Sequence, residues 1–239
     1  RSDGGELRRL FGITPPAGST ARPTVNLTAP TVHTTVTANT LSHIRGLNLR
    51  PVAGANKGIT ANGKSGIIMA VGDTLVVGQG GRLVGMQPLT GKVRWDVQVA
   101  NSRGTNEVER LVDLIAGVSR QGDQVCARAF QSTVGCVDAS RGTLLWSKSA
   151  NGATGLDGDA QMVYGTESDG NVVAWQRKDG ERMWVSELLR YRYLTAPTVV
   201  GKSVVVGDDT GTVHFLSSDK GNTLNRMSTD GSPIVTTPV

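Results

Sequence analysis

The chain is poor in the residues from which most reactive sites are built. Aromatic residues make up 4% of it, histidines number three and cysteines two. The histidines are isolated, there is no Cys-x-x-Cys, and Cys126 and Cys136 lack zinc-ligand spacing, which excludes a recognisable zinc site and a disulfide-dense scaffold. Neither H-E-x-x-H nor G-x-S-x-G occurs, so no zinc-protease or serine-hydrolase signature is present. No apolar run approaches the roughly 20 residues of a membrane-spanning helix, and no cationic-then-apolar signal segment is found. The net charge is +5, from 25 Lys and Arg against 20 Asp and Glu. These cations are scattered, without a basic run or interleaved aromatics, which argues against nucleic acid as a partner.

Glycine is abundant, 31 of 239 residues, and is accompanied by many Val and Thr. Helix-period patterns are scarce, so the composition points to an all-β chain of short strands and tight turns. One pattern recurs four times: "GGRLVGMQPLTGKVRW", "STVGCVDASRGTLLW", "DGNVVAWQRKDGERMW" and "TGTVHFLSSDKGNTLN". Each reads as a turn, an alternating strand, a Gly-containing turn and a second strand ending on Trp95, Trp146, Trp184 or Asn225. The spacing of these endings brackets the roughly 40 to 45 residues of a four-stranded propeller blade, and two further strands precede each unit.

The sequence therefore predicts a β-propeller of four-stranded antiparallel blades. Four blades are expected at about 66–99, 114–149, 155–187 and 195–228, within a region 47–239 that ends at the start of a fifth. Residues 1–12 read as the last strand of a preceding blade, and 13–46 as a Thr- and Pro-rich inter-blade loop or insertion. On this reading the chain is an internal stretch of a larger ring. Blade faces left open at its ends would be apolar and prone to self-association. The tryptophans are expected to pack between blades, where each has about 150 to 250 Å² to bury.

Two stretches imitate nucleotide loops. "GITANGKS", Gly58 to Ser65, spells G-x-x-x-x-G-K-[ST], but a P-loop must open a helix that aims its amides at the phosphates. The residues after Ser65 are β-branched and Gly-punctuated, so a surface turn is expected. "VGQGGRLVG" sits in a hairpin, as do Asp169-Gly170 and Thr210-Gly211, the former with the composition of a two-residue type I′ turn. Asp157, Asp159, Asp208 and Asp209 read as turn residues. Between Cys126 and Cys136, a two-residue turn at Gln131-Ser132 places the thiols on opposite faces of the sheet, and a three-residue loop places them directly opposite. A reduced pair is the expectation.

With Gly four residues before Trp, the repeats resemble the PQQ-like propeller repeats. From Leu47 onward the order of segments is similar to one group among them, the BamB lipoprotein family of the bacterial β-barrel assembly machinery. The residues carrying this likeness are "GLNLR", "NEVERLVDL", "SELLRYRYLTAPTVV" and "VVVGDDTGTVHFLS". The resemblance implies an eight-bladed, non-enzymatic scaffold that needs no cofactor, lipid-anchored to the periplasmic face of the outer membrane of a Gram-negative bacterium. It would bind the POTRA domains of BamA and assist unfolded outer-membrane proteins. The family's BamA-binding surface carries a Leu-x-Leu-Arg loop and, one blade later, an Asp-x-Asp. These match Leu47, Leu49 and Arg50, then Asp113, with Ile115 in place of the second acid and Arg110 as a nearby basic residue. An exposed Leu pair beside an Arg has the composition of an interface hot spot. The rival reading, a quinoprotein dehydrogenase, requires a metal-bound quinone and usually a vicinal disulfide, and Cys126 and Cys136 are not adjacent. A propeller binding some other protein would keep the fold and change the partner.

Overall fold

Alternation of Val, Leu and Ile with Gly and polar turn residues produces four antiparallel sheets of four strands, each a simple meander. The computed structural model describes residues 67–100 and 113–238, with the backbone pairing of a few two-residue strands N-terminal to them. Blade I comprises Ile68–Val71, Thr74–Gln79, Arg82–Met86 and Val93–Gln98. Blade II comprises Leu114–Gln121, Gln124–Ala129, Thr133–Asp138 and Thr143–Ser149. In blade III the strands are Leu156–Gly158, Met162–Thr166, Val172–Gln176 and Arg182–Ser186. Those of blade IV are Thr198–Val200, Ser203–Gly207, Thr212–Ser217 and Thr223–Ser228. No helix occurs among the described residues, and the sheets are propeller blades.

A sheet of this size is stable only when its faces are covered, and each blade does this for its neighbour. Val76, Leu83 and Val97 of blade I share a core with Val125, Ala127 and Val137 of blade II. Cys126, Val134 and Trp146 of blade II meet Leu156, Val163 and Trp175 of blade III. Tyr164 and Ala174 then meet Val204, Val206 and Leu216 of blade IV. Because side chains alternate across each strand, one blade feeds two such cores.

A repeated device fixes each blade against the next. In every blade the ladder between third and fourth strands slips by one residue, so that Arg94, Leu145, Met183 and Leu224 bulge out and are skipped in the pairing. Such a bulge re-aims its neighbours, here the fourth-strand indole, towards the following blade. A Cβ on Gly142 would lie 2.3 Å from Trp95, one on Gly180 2.4 Å from Trp146 and one on Gly221 2.5 Å from Trp184. These three glycines also have φ of 66°, 72° and 69°, which L-residues rarely adopt. Two of the indoles add a hydrogen bond across the seam: Trp146 Nε1 donates to Arg177 O at 2.8 Å and Trp184 Nε1 to Ser218 O at 2.9 Å. Trp95 Nε1 is buried without an acceptor. The fourth strand of blade IV, with Asn225 at the indole position, is exposed throughout.

Three local expectations are corrected or refined. Ala129 pairs with Thr133, so the loop after the second strand of blade II has three residues, Cys126 lies directly opposite Cys136, and the two form a disulfide. The reduced pair is overturned because Gln131 adopts φ of 46°, a left-handed geometry that its side chain does not advertise. Asp169-Gly170 is not a two-residue turn: Thr166 pairs with Val172, and Glu167 N–H donates to Asn171 O at 2.8 Å to close a longer loop. Thr60–Ala61 pairs antiparallel with Lys64–Ser65, so the Lys-Ser of the P-loop spelling lies on a short strand where a surface turn was expected. The segments 1–12 and 13–46, apart from the backbone of Ile13–Thr14 and Thr24–Val25, lie outside the described residues. Residues 229–238 form no strand, and Ile234 N–H donates to Asp208 O at 3.0 Å.

The seam geometry gives a stability test. Trp146→Phe forfeits a buried hydrogen bond that Trp95→Phe does not, so it is expected to cost about 1–2 kcal/mol more, measured as the difference in urea-unfolding free energy. Equal losses would contradict the seam assignment.

Candidate partner-binding face

In a four-stranded meander, the turns between second and third strands and the connections to the next blade share one end of the stack. The other two turns share the opposite end. Three connections meet at the first end: the entry to blade II at Asp113, the loop 130–132 and the connection 187–197 between blades III and IV. Asp113 is half-buried, and its carbonyl accepts from Phe130 N–H at 2.9 Å, which ties the entry to the neighbouring loop.

The connection 187–197 is held rigidly by its backbone. Leu189 is buried in the core between blades III and IV. Tyr191 N–H donates to Asp169 O at 2.8 Å, and Arg192 N–H to Leu189 O at 3.1 Å. A Cβ on Gly170 would come within 2.4 Å of Leu189 O, so the loop seats on a glycine that must stay bare. Tyr191 takes φ of 68°, a costly conformation for an aromatic residue. The residue is 82% exposed, with Tyr193 at 78% and Leu188 at 62%. Arg190 stacks over the Tyr191 ring at 5.2 Å and pairs with Glu187 at 3.7 Å. A preorganised rim of aromatic and aliphatic groups therefore faces solvent.

A buried carboxylate anchors this rim. Asp208 is fully buried; its Oδ1 accepts from the N–H groups of Thr210 and Thr212, both at 2.9 Å. Its Oδ2 contacts His214 Nε2 at 2.9 Å and the Arg192 guanidinium. Burial opposes ionisation, but the hydrogen bonds from His214, Thr212 and Thr210 outweigh it and hold the carboxyl well below the usual range. Arg192 is thereby held against the carboxylate with its side chain half-exposed, and the tyrosines stand outermost.

Arg128 ties blade II to blade III beneath the same end. It is entirely buried, donates to Thr166 O at 2.5 Å and Glu167 Oε1 at 2.6 Å, and lies 5.7 Å from the Trp175 ring. Burial pushes its pKa down and Glu167 opposes the shift. The first strands of blades II to IV line a cleft of about 690 Å³ that includes Gly117, Gly155, Asp157, Tyr193 and Pro197. The Asp157 carboxylate there accepts from Val199 N–H at 2.7 Å. Among the described residues, no group of three or more His, Cys, Asp or Glu converges in a metal-binding arrangement.

A family model described as outer membrane protein assembly factor BamB matches residues 52–186, which include blades I to III. The chain belongs to the BamB family. It is 35% identical over 178 residues to outer membrane protein assembly factor BamB of Bordetella pertussis, covering 73% of this chain and 46% of that protein. For BamB of Burkholderia pseudomallei the identity is 38% over 160 residues, 67% of this chain and 42% of that protein. The crystal structure of BamB from Moraxella catarrhalis superimposes with a TM-score of 0.65 at 26% identity, covering 72% of this chain and 52% of that one. The chain thus spans about half the length of the curated relatives it matches.

Of the residues matched to the BamB pattern, Leu47, Arg50, Arg110 and the side chain of Leu49 lie outside the described residues. The backbone of Asn48–Leu49 pairs in parallel with Thr24–Val25. Asp113 stands at the entry to blade II, while Ile115 is 6% exposed and pairs with Arg128 in the sheet. An acid at position 115 would therefore face the core beside a buried cation. Sequence reasoning missed Arg192, Asp208 and His214 as a unit; only the neighbouring "GDDTGT" hinted at it, and as a turn.

Removing the anchor by Asp208→Asn is expected to cost about 3–5 kcal/mol at neutral pH, because Arg192 and His214 lose a buried partner. With the folded pKa depressed, this contribution is complete above the ordinary carboxylate range, near pH 4, and is lost as pH falls through the lower folded value. Urea unfolding at neutral pH and at about pH 2 should show a smaller acid loss in the variant than in the wild type.

Proposed function

We propose that the chain is part of a non-enzymatic scaffold subunit of the outer-membrane β-barrel assembly complex, binding the POTRA domains of BamA and assisting delivery of unfolded outer-membrane proteins. The observation that carries this reading is the match of blades I to III to the BamB family. On this reading the protein needs no cofactor, works at the periplasmic face of the outer membrane of a Gram-negative bacterium and is held there by an N-terminal lipid.

The partner surface is assigned to Leu47, Leu49, Arg50, Arg110 and Asp113. The physical support lies in Asp113 and its surroundings. In sequence, Leu47 to Arg50 lie upstream of the first strand of blade I, separated from it by the paired strands Thr60–Ala61 and Lys64–Ser65, while Asp113 directly precedes that of blade II. The end of the stack at which Asp113 stands also carries the fixed aromatic rim. Rigid aromatic and aliphatic groups cost little entropy when covered, and a flanking carboxylate and guanidinium supply orientation. Ile115 removes one acid from the family pattern, so this surface relies more on apolar contact and on Arg50.

The test is a calorimetric titration of the chain with BamA periplasmic domains. Replacing Leu47, Leu49 and Arg50 together by Ala should weaken binding at least tenfold, about 1.4 kcal/mol, with an unchanged thermal midpoint. Unaltered affinity would remove the site assignment. A large fall in thermal midpoint would instead mean that the two leucines belong to a core.

A further inference from the structure

Arg177 is a buried cation whose direct contacts are all neutral. It follows the third strand of blade III, is 3% exposed and reaches back into blade II. Nε donates to Asp159 O at 2.7 Å, Nη2 to Ser119 Oγ and to Met162 O at 3.4 Å, and Nη1 to Cys126 Sγ at 3.4 Å. Among the described residues no carboxylate lies within ion-pair distance of it, whereas Arg128 has Glu167. A buried charge without a counter-ion is costly, and the single neighbour here able to become an anion at the contact is Cys126. Its disulfide partner Cys136 is equally buried but has no such contact, being surrounded with Cys126 by Val134, Trp146, Leu156 and Trp175.

We propose that Cys126 and Arg177 form a thiol–disulfide exchange site in which Arg177 is the counter-ion of the Cys126 thiolate. In reduction by an external dithiol, one thiol loses its proton to solvent and its sulfur attacks Cys136 Sγ. A mixed disulfide forms at Cys136, the Cys126–Cys136 bond breaks, and the electron pair leaves on Cys126, facing the guanidinium. The second thiol of the reductant then attacks its own partner sulfur and releases Cys136, which takes up that thiol's proton. The dithiol is oxidised by two electrons to a disulfide, and the protein disulfide becomes one thiolate and one thiol. In the reverse direction, the Cys126 thiolate attacks a disulfide donor and the bond is installed. Neither sulfur is exposed, so exchange follows opening of the seam between blades II and III. The site thereby couples the cysteine redox state to that seam, where Trp146 also donates to Arg177 O.

The other ionisable groups around the guanidinium are Asp157, Asp159 and Tyr164 from blade III. Burial and the hydrogen bond to Asp159 raise the Tyr164 hydroxyl, which stays neutral. The two carboxylates act on Arg177 at longer range and are the same in every arm of the test.

The experiment reads thiolate absorbance at about 240 nm against pH in the full chain, a signal that needs no reagent access. Cys136→Ser leaves Cys126 against Arg177, and Cys126→Ser leaves Cys136 without that contact. Both positions are fully buried, so desolvation is matched and the difference reports the cation. The Cys126 midpoint is expected at least about one unit below that of Cys136, a tenfold difference in thiolate ratio. Arg177→Met in the Cys136→Ser background should abolish the difference, and Arg177→Lys should retain most of it. Equal midpoints, the reverse order, or no effect of Arg177→Met would overturn the proposal. Should a single-cysteine variant not fold by circular dichroism, the phosphine-reduced wild type should titrate in two steps at least about one unit apart. A single step there would equally overturn it.

Discussion

The contact of a fourth-strand indole with a bare, left-handed glycine in the next blade is what the rest of the structure depends on. A blade buries little by itself, and without a directional contact adjacent sheets could slide or rotate over their apolar faces. The bulge before each tryptophan aims the ring, the glycine admits it and, at two seams, an N–H bond to a backbone carbonyl fixes its depth. Each sheet is thereby held in one register against its neighbour. The blade-to-blade connections and second-to-third turns consequently lie at one end, where Asp113 and the tyrosine rim stand.

That register brings long cations into the interior. Arg128 occupies the sheet position filled by Gly78, Thr166 and Gly207 in the other blades, and Gly152 and Gly165 leave the room its guanidinium needs. Glu167 compensates it directly. Arg177 has no comparable partner, and Asp208 holds the half-exposed Arg192 by an ion pair. Ionic groups tie consecutive blades together beneath the surface, and the exposed connection between blades III and IV presents Leu188, Tyr191 and Tyr193 together with the Glu187–Arg190 pair. A surface of this kind suits docking of another folded protein better than chemistry on a small substrate.

Fold class was legible because the repeat carries its own punctuation: Gly, then four residues on, Trp, with alternating strands before each. Which glycine meets which indole was not legible, since the partners come from successive repeats and lie far apart in sequence. Errors arose where one residue decides a register. Gln131 carries no mark of a left-handed conformation, yet it lengthens the loop by one and brings Cys126 opposite Cys136. Asp169-Gly170 has the composition of a two-residue turn, but the loop is longer, closed by the Glu167 to Asn171 bond, and it seats the connection 187–197 through Asp169 O and the bare Gly170. Arg128 and Arg177 did not stand out among the scattered cations, because nothing local marks a buried one. Of the candidate surface, Asp113 was named only through the likeness to the family pattern, with nothing in its own surroundings to mark it, and Ile115 proved to be buried in the sheet. The anchor formed by Arg192, Asp208 and His214 draws on three segments and has no sequence motif.

The central claim is that the seams hold one end of the blade stack as the interaction face. Hydrogen exchange of the full chain, followed by mass spectrometry with and without BamA periplasmic domains, tests it most directly. The account predicts slowed exchange at the entry to blade II around Asp113 and in the neighbouring connections of that end, with no change in the turns holding Gly142, Gly180 and Gly221. Protection confined to those glycine turns, or no protection at either end, would contradict it.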